Sequence, residues 1–428
     1  MKCYAWKGLL LVGALSCLLA FAVPAGAAIC NIDVTPAATL LLPYFEVDLG
    51  NLSGMTTLMS INNSSANAVL AHLIIWTDLS VPVIDINIYL TGYDIQTLNL
   101  RDILVNGNLP QTASTGQDPF DTISPKGPKS MDSNFPSCSG QLPPPPLPAS
   151  FIQHLQLSLT GKASPLFGGL CSGRNLGDNV ARGYITVDTV NNCTLRLPSD
   201  PGYFSSDITF QNVLWGDYVY QNVGQGSATG GALVHVEASL TNPATTTAGR
   251  YTFYGRYNGW NASDHREPLA TTFGGRYFNG GGFGGNTSFV VWRDSKTSQN
   301  AFTCPAISGR PSWFPLGVEG IDIFDEQEHV SVPLTSPFSP QPPGPAIVPF
   351  PAEAQRTKIN GPDLPVPFSF GWIFLDLNTT VVGNPNPPFD PAAAQAWMIY
   401  DMDANGLFSV GFEGLRLDSA CAPNHTVP

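Results

Sequence analysis

AVLAHLIIWTDLSVPVIDINIYLTGYDIQTLNLRDIL, residues Ala68 to Leu104, reads as three β-strands. In Val83 to Thr91 the apolar Ile84, Ile86, Ile88 and Leu90 alternate with Asp85, Asn87, Tyr89 and Thr91, the period-2 pattern of a strand with one buried and one wetter face. Ala68 to Thr77 is apolar on both parities, with Leu70, Ile74 and Trp76 on one side and Val69, Leu73 and Ile75 on the other, so it predicts a central strand. Gly92, Tyr93 and Asp94 turn the chain into Ile95 to Leu100 as a hairpin loop would. Upstream, Thr39 to Leu49 and Met55 to Asn62 read as two further strands, and Pro43 demands an edge position or a bulge in the first.

Composition agrees with a β-dominated chain. Gly (42) and Pro (39) are abundant in 428 residues and only 12% are charged, which favours extended, loop-rich structure over long helices. The fold expected is mainly β: antiparallel β-sandwich modules with long Pro/Gly-rich loops and at most one or two short helices. The best helix is Phe151 to Thr160, with Phe151, Ile152, Leu155 and Leu159 on one face, Ser150 to cap the start and Gly161 to end it.

Lys2 and Lys7, an uncharged apolar run from Gly8 to Val23 and the small residues Ala25-Gly26-Ala27-Ala28 follow the plan of a secretory signal peptide over 1–28. A first β-module is expected over 29–107, a Pro-rich excursion over 108–150 and a second β-rich module over 151–332. A Pro-rich segment follows over 333–367, and C-terminal strands over 368–428 return to the first module. Within the second module the clearest strands are Gly183 to Val190, Ala232 to Leu240, Gly249 to Tyr257 and Thr287 to Arg293. The C-terminal strands are Phe368 to Asn378 and a hairpin, Ala396 to Phe412, turning at Asn405-Gly406.

Beyond the signal lie Cys30, Cys138, Cys171, Cys193, Cys304 and Cys421. An even number in an exported chain favours disulfides over metal or nucleophilic roles. Spacing alone does not choose among the pairings; the set expected is Cys138 with Cys171, Cys193 with Cys304, and Cys30 with Cys421, the last joining the two ends. The balance of 19 basic against 32 acidic residues argues against nucleic acid as a partner, since phosphate binding needs a basic surface. No stretch beyond the signal has the length of apolar residues that a transmembrane helix requires.

Motifs for chemistry are sparse. Asp401, Asp403 and Asn405, followed by Gly406, match the opening of a calcium loop, but Phe412 stands where the bidentate glutamate belongs, and an Asn-Gly hairpin turn accounts for the same residues. No other cofactor is expected. Gly280 to Gly285 satisfies G-x-G-x-x-G, yet it precedes a strand and not the helix that a dinucleotide fold needs. Gly169-Leu170-Cys171-Ser172-Gly173 resembles a nucleophile elbow with no strand-turn-helix around it. Trp215, Tyr218 and Tyr220, or Tyr257 and Trp260, are rings suited either to a sugar face or to core packing.

With no complete catalytic motif, the expected role is an exported binding or surface-structural protein, placed outside the cell, on its surface or in a periplasm, with an unidentified glycan or protein partner. The competing expectation is a secreted, glycosidase-like hydrolase whose carboxylates, among Asp217, Asp264, Glu267, Asp325 and Glu328, meet only in the fold.

Overall fold

The computed structural model describes residues 32, 34–110, 135–138, 142, 146–240, 252–257, 264–294, 300–304, 314–318, 320–331, 349–378, 395–404 and 406–418. The expected signal segment therefore lies outside the described residues, as do Cys30, Cys421, Asn405 and Trp260. Among the described residues eighteen strands form four sheets, antiparallel as the sequence predicted. Among the described residues no helix is long and apolar enough to cross a membrane.

The first stretch behaves as read. Strands β1 (Thr39–Asp48), β2 (Met55–Asn63), β3 (Val69–Thr77), β4 (Pro82–Leu90) and β5 (Ile95–Asn99) fall within a residue or two of the expected bounds. β3 is buried along its whole length. The demand of Pro43 is met by an irregularity between Leu42 and Phe45, where the register of β1 against its neighbour shifts. What the alternation did not show is who pairs with whom. β6 (Val180–Val190) slots between β3 and β1, and β9 (Val234–Val236) pairs with the start of β1, giving sheet II in the order β4-β3-β6-β1-β9. β7 (Leu214–Asn222) and β8 (Ser227–Ala232) extend β5 and β2 into sheet I, ordered β5-β2-β7-β8. The first sandwich is thus completed by residues expected in the second module.

The C-terminal strands do not pair into either of its sheets, although β16 (Ala396–Asp403) packs against its core. β15 (Phe370–Asp376) lies between β12 (Gly320–Asp325) and β10 (Thr272–Phe278), with β13 (Val330–Ser331) and β18 (Leu415–Arg416) at the edges of this sheet IV. β16 and β17 (Ser409–Glu413) join β11 (Asn286–Arg293) and β14 (Ala354–Lys358) as sheet III, ordered β14-β11-β16-β17. The reason is the apolar content of β11 and β16 on both parities. Val290, Trp292, Trp397 and Ile399 face the core of the first sandwich, while Phe289, Val291, Met398 and Tyr400 face sheet IV. A strand with two apolar faces needs a layer on each side.

Between sheets II and III the packing is aromatic and charged. Trp76 stacks on Tyr184, whose ring meets Trp292 edge-on at 5.9 Å. Arg256 bridges Glu353 at 2.6 Å and Asp294 at 2.9 Å, and Arg266 lies 3.5 Å from Asp188 and 3.6 Å from Asp264. Asp188 also accepts hydrogen bonds from the hydroxyls of Tyr203 and Tyr254. Buried charges persist only when paired in this way. The same seam explains a correction: Gly249 to Tyr257 is not a strand in its described part. Residues 252–257 are consecutive turns, closed by Gly255 and Tyr257 donating to Thr252 and Tyr254, and they thrust their rings between the sheets. Likewise Ala232 to Leu240 is strand only at Ala232, the end of β8, and over β9, after which Ala238 bridges to Arg266.

The helix, α1 (Ala149–Leu159), buries Leu155 and Leu159 against sheet II and ends at Gly161, whose positive φ of 70° suits glycine. Ser150 lies inside the helix rather than at its cap. The disulfide pattern also differs from expectation. Cys138 pairs with Cys193 and Cys171 with Cys304, at Cα separations of 4.9 and 5.2 Å. Cys138 is carried onto Tyr89 and Leu70 of sheet II, beside the end of β6 that leads to Cys193. Cys171 meets the 300–304 segment through a backbone bridge with Phe302. Spacing along the chain gave no access to either contact.

Candidate ligand-binding site

The strand FGWIFLD of β15 is apolar on both parities, and its two faces meet different surroundings. Ile373 and Leu375 are fully buried between sheets III and IV. Phe370, Trp372 and Phe374 point the other way, onto the outer face of sheet IV, where Trp372 is 37% exposed. Directly opposite residues of an antiparallel pair share a face. Trp372 is opposite Phe324 of β12 and Arg276 of β10, so these three form one row across the sheet. Phe324 and Trp372 stack with ring centroids 4.1 Å apart and planes within 9°. The pair is a flat aromatic platform open to solvent.

Beside it lies a cavity of about 890 Å³ at the edge of β10, bounded by Trp372, Arg276, Phe412, Glu413 and Arg416. Its floor is glycine. A Cβ at Gly275 would approach the Phe289 ring to 2.9 Å, so the inner side is already filled and the strand can carry no side chain there. Arg276 is exposed, with its guanidinium 5.4 Å from the centre of the Phe412 ring, a cation–π arrangement. It makes no ion pair or hydrogen bond among the described residues. Arg416 lies over Trp397 and donates to the carbonyl of Ile32 at 2.5 Å. Burial pushes the Glu413 carboxyl above its ordinary value, and the Arg416 charge pulls it back. Asp418 is tied to the chain, accepting from the backbone N–H groups of Thr271 and Thr272 and from the Thr271 hydroxyl. The arrangement offers stacking, a free guanidinium and a carboxylate in one open recess. It does not place two facing carboxylates on a common point.

The candidates drawn from sequence are found elsewhere. Asp401 and Asp403 lie on β16 itself, not in a loop, and the Asp401 carboxylate is engaged by Arg356, which also meets Glu46 at 3.1 Å. Arg356 lies over the ring of Tyr220, whose hydroxyl donates to the carbonyl of Tyr44. Asp401 and Asp403 line a polar recess of about 80 Å³ between sheets I and III, together with Arg356 and Lys358. Two cations beside the two carboxylates oppose a calcium ion there. Among the described residues no group of three or more His, Cys, Asp or Glu is gathered to hold a metal.

The five carboxylates of the hydrolase expectation are scattered. Asp264 and Glu267 are fully buried, the former beside Arg266 and the latter accepting from the Glu237 backbone. Asp217 accepts from Ser60 on sheet I, and Asp325 pairs with His329 at the exposed end of β12, where Glu328 also lies. Cys171 is in a disulfide and so offers no thiolate. Tyr218 and Tyr220 are buried, and Tyr257 packs against Trp76 in the inter-sheet seam. Sequence reasoning therefore chose core rings and passed over Phe324, Trp372 and Phe412. The signal for Trp372 was present in β15, which is too apolar on both parities for a strand in an outermost sheet.

No protein-family model and no curated protein matches the chain. Among solved structures it is similar to one described as a biofilm associated protein, BSP domain, at 10% identity and a TM-score of 0.17, covering 91% of this chain and 62% of that one. The chain thus spans less than two thirds of that structure's length, and a likeness of this size carries no argument about role.

Proposed function

We propose that the chain is an exported protein that acts by binding, and that its ligand docks on the aromatic platform and recess of sheet IV. The observation that carries this is the Phe324–Trp372 stack, held open to solvent beside a recess of about 890 Å³. Large rings cost solvation when left on a surface, and such a patch next to a concavity is a common mark of a docking site. Export is supported by the signal-like leader over 1–28 and by two disulfides in the folded chain, which persist in oxidising compartments. The scatter of the candidate carboxylates favours binding over hydrolysis.

The test is to present the labelled mature protein to a panel of polysaccharides, cell-wall material, lipid vesicles and extracellular proteins. The expected result is saturable binding to one class that Trp372→Ala reduces at least tenfold with an unchanged circular dichroism spectrum. Binding equal in both proteins, or no saturable binding anywhere on the panel, overturns the proposal.

A further inference from the structure

We infer that the ligand of this site is a saccharide carrying an isolated anionic group, its pyranose face on Trp372 and its carboxylate or sulfate on Arg276. The inference deepens the binding proposal above and rests on it.

Arg174, Arg182, Arg196, Arg256, Arg266 and Arg356 are each ion-paired with at least one carboxylate. Arg101 donates to the carbonyls of Asp48, Asn51, Gly54 and Met55, and Arg293 to those of Phe350, Gly317 and Leu377. Arg416 holds the carbonyl of Ile32. Arg276 alone among the described arginines has no such partner, although the chain carries 32 acidic residues against 19 basic ones. Its guanidinium lies over the Phe412 ring, and Trp372 stands opposite it in the strand register. The Phe412 ring positions the planar fork without using its N–H donors.

A guanidinium left open in this manner matches two oxygens of a carboxylate or sulfate through two parallel hydrogen bonds. The neighbouring platform selects what carries that oxyanion. The face of an indole is electron-rich and accepts the C–H groups of a sugar ring, and the Phe324 ring behind Trp372 fixes its orientation. Glu413, on the opposite wall, supplies an acceptor for hydroxyls. A purely apolar partner would leave Arg276 and Glu413 desolvated and unpaired. A dense polyanion is opposed by the net charge of −13 on the chain as a whole. One acid group on a sugar satisfies both conditions.

The experiment titrates the full mature protein by calorimetry with three trisaccharides: the neutral galactose trisaccharide, its form with a single galacturonate residue, and its monosulfated form. At least one charged sugar is expected to bind tenfold or more tightly than the neutral one. Arg276→Gln should erase that preference, and Trp372→Ala should weaken all three. Binding of the monogalacturonate sugar alone assigns a carboxylate, and of the monosulfated sugar alone a sulfate. Equal affinity for charged and neutral sugars, or a preference that survives Arg276→Gln, overturns the inference and leaves the binding proposal standing if Trp372→Ala still abolishes binding. Failure of all three sugars also overturns it, whereas the binding proposal fails only on the wider panel.

Discussion

The seam between sheets II and III and the outer face of sheet IV are built from the same side-chain types and put them to opposite uses. Both bring arginine together with tyrosine, tryptophan and phenylalanine. In the seam every guanidinium meets carboxylates and the rings are buried, as with Arg256 between Glu353 and Asp294. On the outer face Arg276 meets the Phe412 ring and no carboxylate among the described residues, and Trp372 stays open. Pairing makes an arginine part of the fold, because removing it strands a buried charge. Lack of a partner makes it dispensable to the fold and free for a ligand.

The largest effect expected from this contrast is on Arg256. Arg256→Ala should destabilise the protein by about 3–5 kcal/mol, since Glu353 would be left charged and buried. Urea unfolding followed by tryptophan fluorescence measures it. A loss below about 1 kcal/mol, the range of an exposed ion pair, would mean that the seam is wet and the contrast false.

An intermediate effect sharpens the rule from the other side. Asp85 on β4 is mostly buried, its Oδ2 has no hydrogen-bond partner, and burial pushes its pKa up to about 6. A raised carboxyl pKa means that the fold prefers the protonated form. The stabilisation is full below about pH 4 and is lost as pH rises through about 6, on the order of 3 kcal/mol in all. Asp85→Asn should therefore raise stability at pH 7 by a similar amount and flatten the pH profile between about 4 and 6. A variant with an unchanged profile would show that Asp85 is solvated. The smallest effect is at the platform. Arg276→Gln should change unfolding free energy by no more than about 0.5 kcal/mol, as for an ordinary surface substitution. A loss comparable to that of Arg256→Ala would place Arg276 in the fold and remove it from the ligand site.

The elements that sequence revealed are those whose information is local. β1 to β5, β6, β11 and the β16–β17 hairpin announce themselves by alternation, by turns and, at Pro43, by a residue that forces an irregularity. β10 was hidden because Gly274 and Gly275 blank the pattern at its centre. β7 alternates well, with Leu214, Gly216, Tyr218 and Tyr220 inward, but its rings drew attention away from the strand that carries them. Partner choice was not legible. Leu42 of β1 lies opposite Ile185, and Asp401 is claimed by an arginine 45 positions away. The same holds for Cys138–Cys193 and Cys171–Cys304, whose separations of 55 and 133 residues carry no mark in the local pattern. The platform fell between these cases. Its residues stood in a strand that was recognised, but their exposure depended on sheet IV being outermost, which only the assembled layers decide.

Sheet III is the layer common to both halves of the molecule. With Trp292 and Trp397 in one core and Phe289 and Met398 in the other, neither half owns a closed boundary. Pulling them apart would bare an apolar sheet face on whichever side kept sheet III and the rings of Trp76 and Tyr184 on the side that lost it. The two sandwiches therefore share a core layer, and their unfolding is expected to be a single cooperative transition.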